Sequence, residues 1–407
     1  MLPGEANIVV IGGGVFGTSI AFHLAAAGHQ DIVLFDRGPI AGGTTPFAAG
    51  QTAALPNKKS QLPFATYCIE FFERFAENTG YPIDFRQNGS LRIALTEQYL
   101  PKLEARLEIA KSAGNKVELI TPHQAKELVP ALEVPEAKGI LFIPRDGYVE
   151  PRSVAAAFAA AAQSRGVAIY TRTPVVGVDL EDGEVRSVRT INGALRTKWV
   201  VLAAGAWTRQ FGQYLGVHTK VVPVRHQAFV TAPLPVVTEK QPIVRIVEPQ
   251  IYVRPEAGGL LVGGYGYRPL SFDMNAFPDR FEITDLEADQ IYYTQLAEAA
   301  ASFFPVLRKA VIIQERRGLP TITPDAQLVV SELEQIKGLI VASGCMVGGI
   351  FASPGVGRVV ADIVSGKESR LPAAELKAER FAAEYAQDAR LRARCEQVYA
   401  SHYWDVY

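Results

Sequence analysis

The sequence predicts an α/β chain, α+β overall, in which a layer of parallel βαβ units built from discontinuous segments is joined to a second, mixed sheet. Three observations predict it. Short uninterrupted apolar runs at residues 8–11, 32–35, 200–204 and 338–343 have the character of strands buried on both faces. Glycines 12, 13, 14 and 17 stand between the first run and a helical stretch. Residues 216–315 hold strand-like segments of another kind, VVPVRHQAFVT and QIYVRPEAGGLLVGGYGY, ahead of a helical stretch.

In chain order, Ile8 to Ile11 predict the first strand, Thr18 to Ala27 a helix that Gly28 ends, and Ile32 to Phe35 a second strand closed by Asp36. An amphipathic helix is expected over Leu62 to Ala76, a strand in LRIAL after Gly89–Ser90, and a helix from Pro101 to Ala113. Pro151 opens VAAAFAAAAQSRG as a helix. VVGVDL and EVRSVRT flank Asp182–Gly183 as a hairpin. Leu286 to Phe304 and Val356 to Ser365 are further helices, and the tail from Ala373 is charged, helical and aromatic at its end (SHYWDVY). These elements divide the chain into a dinucleotide-binding domain (residues 1–80, 150–215 and 316–372), a substrate domain (81–149 and 216–315) and a helical tail (373–407).

Net charge is -1 over 407 residues, with 48% hydrophobic and 20% charged. Nothing basic points to nucleic acid or an anionic membrane, so a small-molecule partner is expected. Three dispersed cysteines without CxxC argue against a disulfide framework and for a reducing, cytoplasmic setting. Six histidines without HxxH spacing argue against a metal site. No apolar stretch reaches the roughly 20 residues that cross a bilayer, so a soluble protein without a membrane span is expected.

The segment Gly12-Gly13-Gly14-Val15-Phe16-Gly17 fits a Rossmann-like phosphate cradle. The first glycine makes the tight turn, the second lets backbone approach a pyrophosphate, and the third lets helix and strand pack closely. The helix N-terminus offers free N–H groups to the phosphates. Asp36, about 20 residues on, is placed to bind ribose hydroxyls and disfavours a 2′-phosphate. These residues leave FAD and NAD both open. The stretch Gly42-Gly43-Thr44-Thr45, followed by Ala48-Ala49-Gly50-Gln51, is small and hydroxyl-bearing and would let a flat ring pass close to backbone.

Five segments carry a resemblance over about residues 7 to 370: IVVIGGGVFGTSIAFHLA, the acid in VLFDR, GGTTPFAAGQ, VVLAAGAW and ASGCMVGGIFASPGVGRVVADIVSG. They resemble the D-amino-acid-oxidase-like flavoproteins, which include glycine oxidase, sarcosine oxidase and, nearest in these segments, dimethylglycine and sarcosine dehydrogenases. The resemblance implies an extended FAD. Gly12, Gly14 and Gly17 would hold its pyrophosphate and Asp36 its ribose. Arg37, Gly43, Thr44 and Thr45 would line the adjoining groups, and the Val175 backbone would meet the adenine. Ala204, Gly205 and Trp207 would line the middle of the cofactor. Gly348, Gly349 and Ile350 would reach the flavin ring where a helix N-terminus stabilises negative charge. Phe47 stands where the dehydrogenases carry a flavin-linked histidine, Cys345 replaces another family histidine, and RRGLPTITPD lacks a linking cysteine. Non-covalent FAD is therefore expected. The folate-binding extension of the longer dehydrogenases is expected to be missing.

The same resemblance implies oxidation of a small amine or amino acid at its carbon–nitrogen bond, with O2 or another electron acceptor. His226 and Tyr252 match substrate-side residues of dimethylglycine oxidases and are the candidate catalytic pair. The glycine oxidase-like arginine is skipped in Gly318-Leu319-Pro320, so Arg254, Arg268, Arg317 and Tyr265 are the candidate substrate contacts. His123, His218 and His402 are expected at the surface. Tyr403, Trp404 and Tyr407 are expected on the chain's own surface or on a partner, as in a homo-oligomer or the flavin subunit of an electron-transfer complex. Oxidation of a hydroxy acid and a non-catalytic flavin scaffold are the remaining readings.

Overall fold

The computed structural model describes residues 2–401. His402, Tyr403, Trp404 and Tyr407 lie outside them. Strands from three stretches of chain form one nine-stranded sheet. Its parallel centre runs Ile336–Ser343, Trp199–Leu202, Ile8–Ile11, Ile32–Phe35, Ala168–Tyr170. Alternate side chains explain the uninterrupted apolar runs. Val10, Leu34, Val201 and Ile340 pack under the helices Val15–Ala26, Pro151–Gln163 and Gly349–Val364. Val9, Val33, Val200 and Val341 pack on the other face, against the meander Val175–Glu181, Glu184–Thr190 and Gly193–Arg196. Both faces are covered, so both must be apolar.

The second sheet has eight strands, in the order Ile312–Gly318, His226–Thr231, Gly259–Gly264, Ile251–Glu256, Ile243–Ile246, Ser90–Ala94, Gly139–Ile143, Glu118–Leu119. It is antiparallel except where Ile243–Ile246 runs parallel to Ser90–Ala94. Ile251, Val253, Val244 and Ile246 pack against the helix Gln290–Ala301, while Tyr252, Ala228 and Val230 face a cluster that includes Tyr99, Tyr265 and Tyr399.

Three helix boundaries differ from expectation. Leu62–Glu73 and Phe75–Thr79 are two helices broken at Arg74, not one. The 286–304 stretch is helical only over Gln290–Ala301, where Asp289 caps it by accepting from the Tyr292 amide. The closing helix starts at Gly349, seven residues before the expected Val356, and carries Pro354 inside it. The proline leaves the Ile350 carbonyl without a backbone donor, and the Ser353 hydroxyl donates to that oxygen at 2.8 Å instead. The tail forms three short 3-10 turns before the helix Asp388–Ala400. Among the described residues no helix is long and apolar enough to cross a membrane.

Candidate functional site

The glycine cradle lies at the carboxyl ends of the central strands. Gly12 has φ 115°, and a Cβ there would sit 2.3 Å from the Ala203 carbonyl oxygen; a Cβ on Gly17 would sit 1.7 Å from the Gly12 oxygen. No side chain fits at either position. Asp36 accepts from the Gly13 amide at 2.5 Å and the Gly38 amide at 2.6 Å. Burial raises its carboxyl above the usual range, against the pull of those two N–H groups. The Thr173 amide donates to the Asp36 carbonyl, which brings the start of the Val175–Glu181 strand beside the acid.

Around this cradle the structure gathers the other expected residues. Thr45 Oγ1 accepts from the Val15 amide at 3.1 Å at the mouth of the first helix. Phe16 reaches toward Gly349, whose Cβ would lie 3.9 Å from its ring. The Arg37 guanidinium stacks over Trp207 at 5.0 Å, and Gly43 leaves space beside the same indole. Arg37 also donates to the Asp279 and Phe281 carbonyls, so it ties the end of the second strand to that loop. Ala204 lies against Gly12, and Gly205–Trp207 form a 3-10 turn. Met346 and Val347 are both left-handed (φ 45° and 56°), a conformation that costs a β-branched residue energy. They set the turn from which Gly348, Gly349 and Ile350 start the closing helix. The first N–H groups of that helix have no intrahelical partners.

Three tethers fix the stretch 44–54 to the mixed sheet. Thr44 Oγ1 accepts from the Leu319 amide. Arg254 Nε donates to the Ala49 carbonyl at 2.6 Å. Arg245 donates from Nε to Gln51 Oε1 at 3.0 Å and from its terminal nitrogens to Thr52 O, Ser90 Oγ and Asp146 Oδ2. Arg245 and Asp146 are each 1% exposed, and Asp146 also accepts from the Ala54 amide. Gln51 thus has its carbonyl fixed and its Nε2 buried without a partner.

On the substrate side, His226 Nε2 shares a hydrogen bond with Tyr252 Oη at 2.7 Å, and Nδ1 with Tyr399 Oη at 2.8 Å. Tyr265 stacks on the imidazole at 5.1 Å. Burial lowers the His226 pKa to about 4, so the ring is neutral near pH 7, with one nitrogen donating and the other accepting. Burial also holds the Tyr252 and Tyr399 phenols well above their ordinary range. His226 pairs with Gly318, where a Cβ would lie 3.0 Å from Thr44 and 3.7 Å from Phe47. Gly318 is therefore the seam between this cluster and the cofactor loop.

The arginines expected as substrate contacts are each paired with an acid of the chain itself. Arg254 is 1% exposed and held by Glu256, Ala49 and the Tyr148 ring. Glu256 also binds Arg316; burial alone would raise its carboxyl, but the two guanidiniums outweigh it and hold the group low. Arg268 is a surface residue paired with Asp289, which Arg225 already holds. Arg317 lies 3.9 Å from Glu315. His123 and His218 are exposed. Sequence reasoning missed Tyr399, Arg245 and Asp146. The stripe Leu391, Cys395, Val398, Tyr399 signals an inward helix face, and an arginine inside IVRI signals a buried ion pair.

The family profile described as FAD dependent oxidoreductase (DAO) matches residues 7–363. The chain belongs to this family. It is 32% identical to dimethylglycine dehydrogenase, mitochondrial, of Rattus norvegicus over 93% of this chain and 45% of that protein. It is 30% identical to the pyruvate dehydrogenase phosphatase regulatory subunit, mitochondrial, of Mus musculus, over 98% and 45%. The chain thus spans about half the length of these relatives. Among solved structures, L-proline dehydrogenase from P. horikoshii superposes with a TM-score of 0.84 at 27% identity, covering 93% of this chain and 98% of that one. The residues fit the FAD of the family. Gly12 and Gly17 leave room only for backbone, Asp36 offers a ribose acceptor, and the unpartnered Gln51 Nε2 is a spare buried donor on the loop expected to meet the ring.

Proposed function

We propose that this chain oxidises the carbon–nitrogen bond of a small amine or amino acid, glycine, sarcosine, N-methyl or D-amino acid in type, to an imine that water then hydrolyses. The observation that supports this most is the neutral cluster of His226, Tyr252, Tyr265 and Tyr399, joined at Gly318 to the cofactor loop. FAD, when bound, supplies a two-electron acceptor for hydride from the carbon next to nitrogen. The chain's own groups bind and orient. Tyr252 can hand a hydrogen bond to the substrate, and neutral His226 can hold or accept a proton at one nitrogen while Tyr399 fixes the other. The aromatic walls keep water from the reacting carbon and accept the apolar face of a neutral amine, whose nitrogen lone pair forms the C=N bond as hydride leaves. Phe47 offers no nucleophile for a flavin bond, which supports non-covalent FAD.

The acceptor is O2 or an electron carrier. A second reading, the flavin subunit of a larger complex, is favoured by the similarity to a protein named as a regulatory subunit. The three unpaired cysteines suit a cytoplasmic setting. Anaerobic mixing of the yellow protein with glycine, sarcosine, dimethylglycine, proline, D- and L-amino acids and hydroxy acids is the test. Bleaching by an amine is expected, and bleaching by hydroxy acids alone overturns the reading. Peroxide made by the purified chain with amine and oxygen would separate the self-contained enzyme from the subunit.

A further inference from the structure

A cavity of about 160 Å³ lies beside the expected flavin end of the site. Leu55, Phe64, Leu328, Met346, Phe351 and Leu376 give it apolar walls, and it reaches Cys345 and Gly348, where the closing helix begins. Leu55 and Met346 also belong to the core cluster that holds Tyr252, Tyr265 and Tyr399, so the cavity and the His226 cluster share a wall. The walls are held in place. A Cβ on Gly355 would stand 2.4 Å from the Phe64 ring, so this glycine seats the ring against the closing helix. The Met346 thioether accepts from the Thr323 amide at 3.4 Å. The polar groups among the walls have partners in the chain itself: Gln61 Nε2 donates to Gln327 Oε1 at 3.3 Å, the Ser60 hydroxyl to Glu375 at 3.4 Å, and Arg106 to the Leu55 carbonyl at 3.1 Å. Gly348 differs from the cradle glycines. Its φ is -97°, and a Cβ there would meet nothing closer than 3.7 Å. Neither backbone nor packing demands glycine at this position; its bare Cα keeps the cavity open at the flavin end.

We propose that this cavity takes an apolar arm of the substrate, so that the amine oxidised carries a substituent of about six carbons. This rests on the amine-oxidising reading above and names its substrate class. The size sets the length: an apolar cavity of about 150 Å³ takes a benzene-sized body. The walls set the chemistry. Each methylene moved from water onto such walls tightens binding by about fourfold, whereas a hydroxyl-bearing or charged arm would exchange its water for aliphatic and aromatic carbon. The shared wall sets the path: with the nitrogen beside His226 and Tyr252, an arm passing Leu55 and Met346 enters the cavity. Glycine and sarcosine carry no such arm and draw no affinity from it.

Anaerobic titration of the flavin-loaded protein is the test. The ligands are N-alkylglycines from methyl to octyl, straight-chain α-amino acids of both hands, and straight-chain acids from acetate to octanoate, which bind without reducing flavin. Bleaching reads the amines, and a shift of the flavin band reads the acids. Apparent affinity should rise by about fourfold per methylene up to an arm of about six carbons and then level. Ala65→Phe, which fills the cavity from the helix Leu62–Glu73, should cost six-carbon ligands at least tenfold and leave glycine and sarcosine within twofold. Leu376→Trp should do the same from the tail. Flavin absorbance and circular dichroism show that each variant is folded. Affinity that stays flat with arm length, among amines that bleach the flavin, overturns the proposal and leaves amine oxidation standing. So does a folded Ala65→Phe or Leu376→Trp that keeps full affinity for six-carbon arms. If no amine bleaches the flavin, the amine reading falls, and an acid series that is flat with length strikes the cavity as well.

Discussion

The two sheets bury arginine and glycine in opposite ways. In the parallel sheet the functional work falls to residues without side chains: Gly12 and Gly17 exist because a Cβ would strike backbone. In the mixed sheet it falls to long charged side chains, Arg245 and Arg254, which cross the core to hold the backbone of Ala49 and Thr52 and the side chain of Gln51. The parallel sheet thus shapes the cofactor cradle by absence, and the mixed sheet aims the loop beside it by tethering. The lesson is that a buried arginine near a cofactor loop is as apt to position backbone as to bind substrate.

The sharpest break of this comparison is at the cradle. Gly17→Ala should abolish flavin retention, because its Cβ would stand 1.7 Å from the Gly12 oxygen and neither backbone can withdraw. Absorbance of the purified variant measures this; a yellow, stoichiometric Gly17→Ala would mean the cradle is looser than drawn. The matching break in the mixed sheet is Asp146→Ala. It leaves Arg245 charged, 1% exposed and without its carboxylate, a change that typically costs about 3–5 kcal/mol. Urea unfolding should show that loss together with weaker FAD affinity, since the 51–54 stretch loses its anchor. Loss of stability with unchanged affinity would cut the link between tether and loop.

The cradle was legible because its constraint is local: glycine spacing, an acid one strand later, and apolar runs that only a doubly covered sheet requires. The closing helix was half legible. Pro354 and its glycines look like loop, yet Gly357 is there because a Cβ would lie 2.4 Å from His23 Nδ1. The substrate side was least legible. Alternation puts Tyr252 and Arg254 on one face, but it does not say that Glu256 and Ala49 would claim the guanidinium. Tyr399 reaches His226 from 173 residues away, across a fold-back that no spacing encodes.

Two histidines sharpen the comparison through pH. His23, against Gly357 in the parallel layer, is 6% exposed, and burial lowers its pKa to about 4. The unfolded chain protonates this residue near 6.5 and the folded chain does not until about 4. Stability is therefore full above 6.5 and falls as the pH drops through that window, by up to about 3 kcal/mol. Urea midpoints at pH 7.5 and 4.5 should show the slope, and His23→Gln should reduce it by the His23 share, leaving the share of His226, which burial also lowers to about 4. For His226 the expectation is kinetic. Flavin reduction should show no imidazole limb between pH 5 and 8, because the ring is already neutral there. Tyr399→Phe removes one of its two partners and should slow reduction by about tenfold, or about 1.4 kcal/mol, with FAD still bound. An unchanged rate would remove Tyr399 from the site.

The smallest effect is expected at Arg268, and it discriminates between the two ways an arginine can serve. This side chain is 52% exposed, and its partner Asp289 keeps Arg225 at 2.5 Å and the Tyr292 amide whether or not Arg268 is present. Arg268→Ala should therefore change stability by no more than about 0.5 kcal/mol and leave the apparent substrate affinity in anaerobic titration within twofold. An anion anchor behaves otherwise: losing a charged hydrogen bond to a carboxylate weakens binding by tenfold or more. A tenfold loss of affinity would move Arg268 from the surface pair to the substrate. It would also return the mixed sheet to the simpler role in which its arginines hold ligand and not loop.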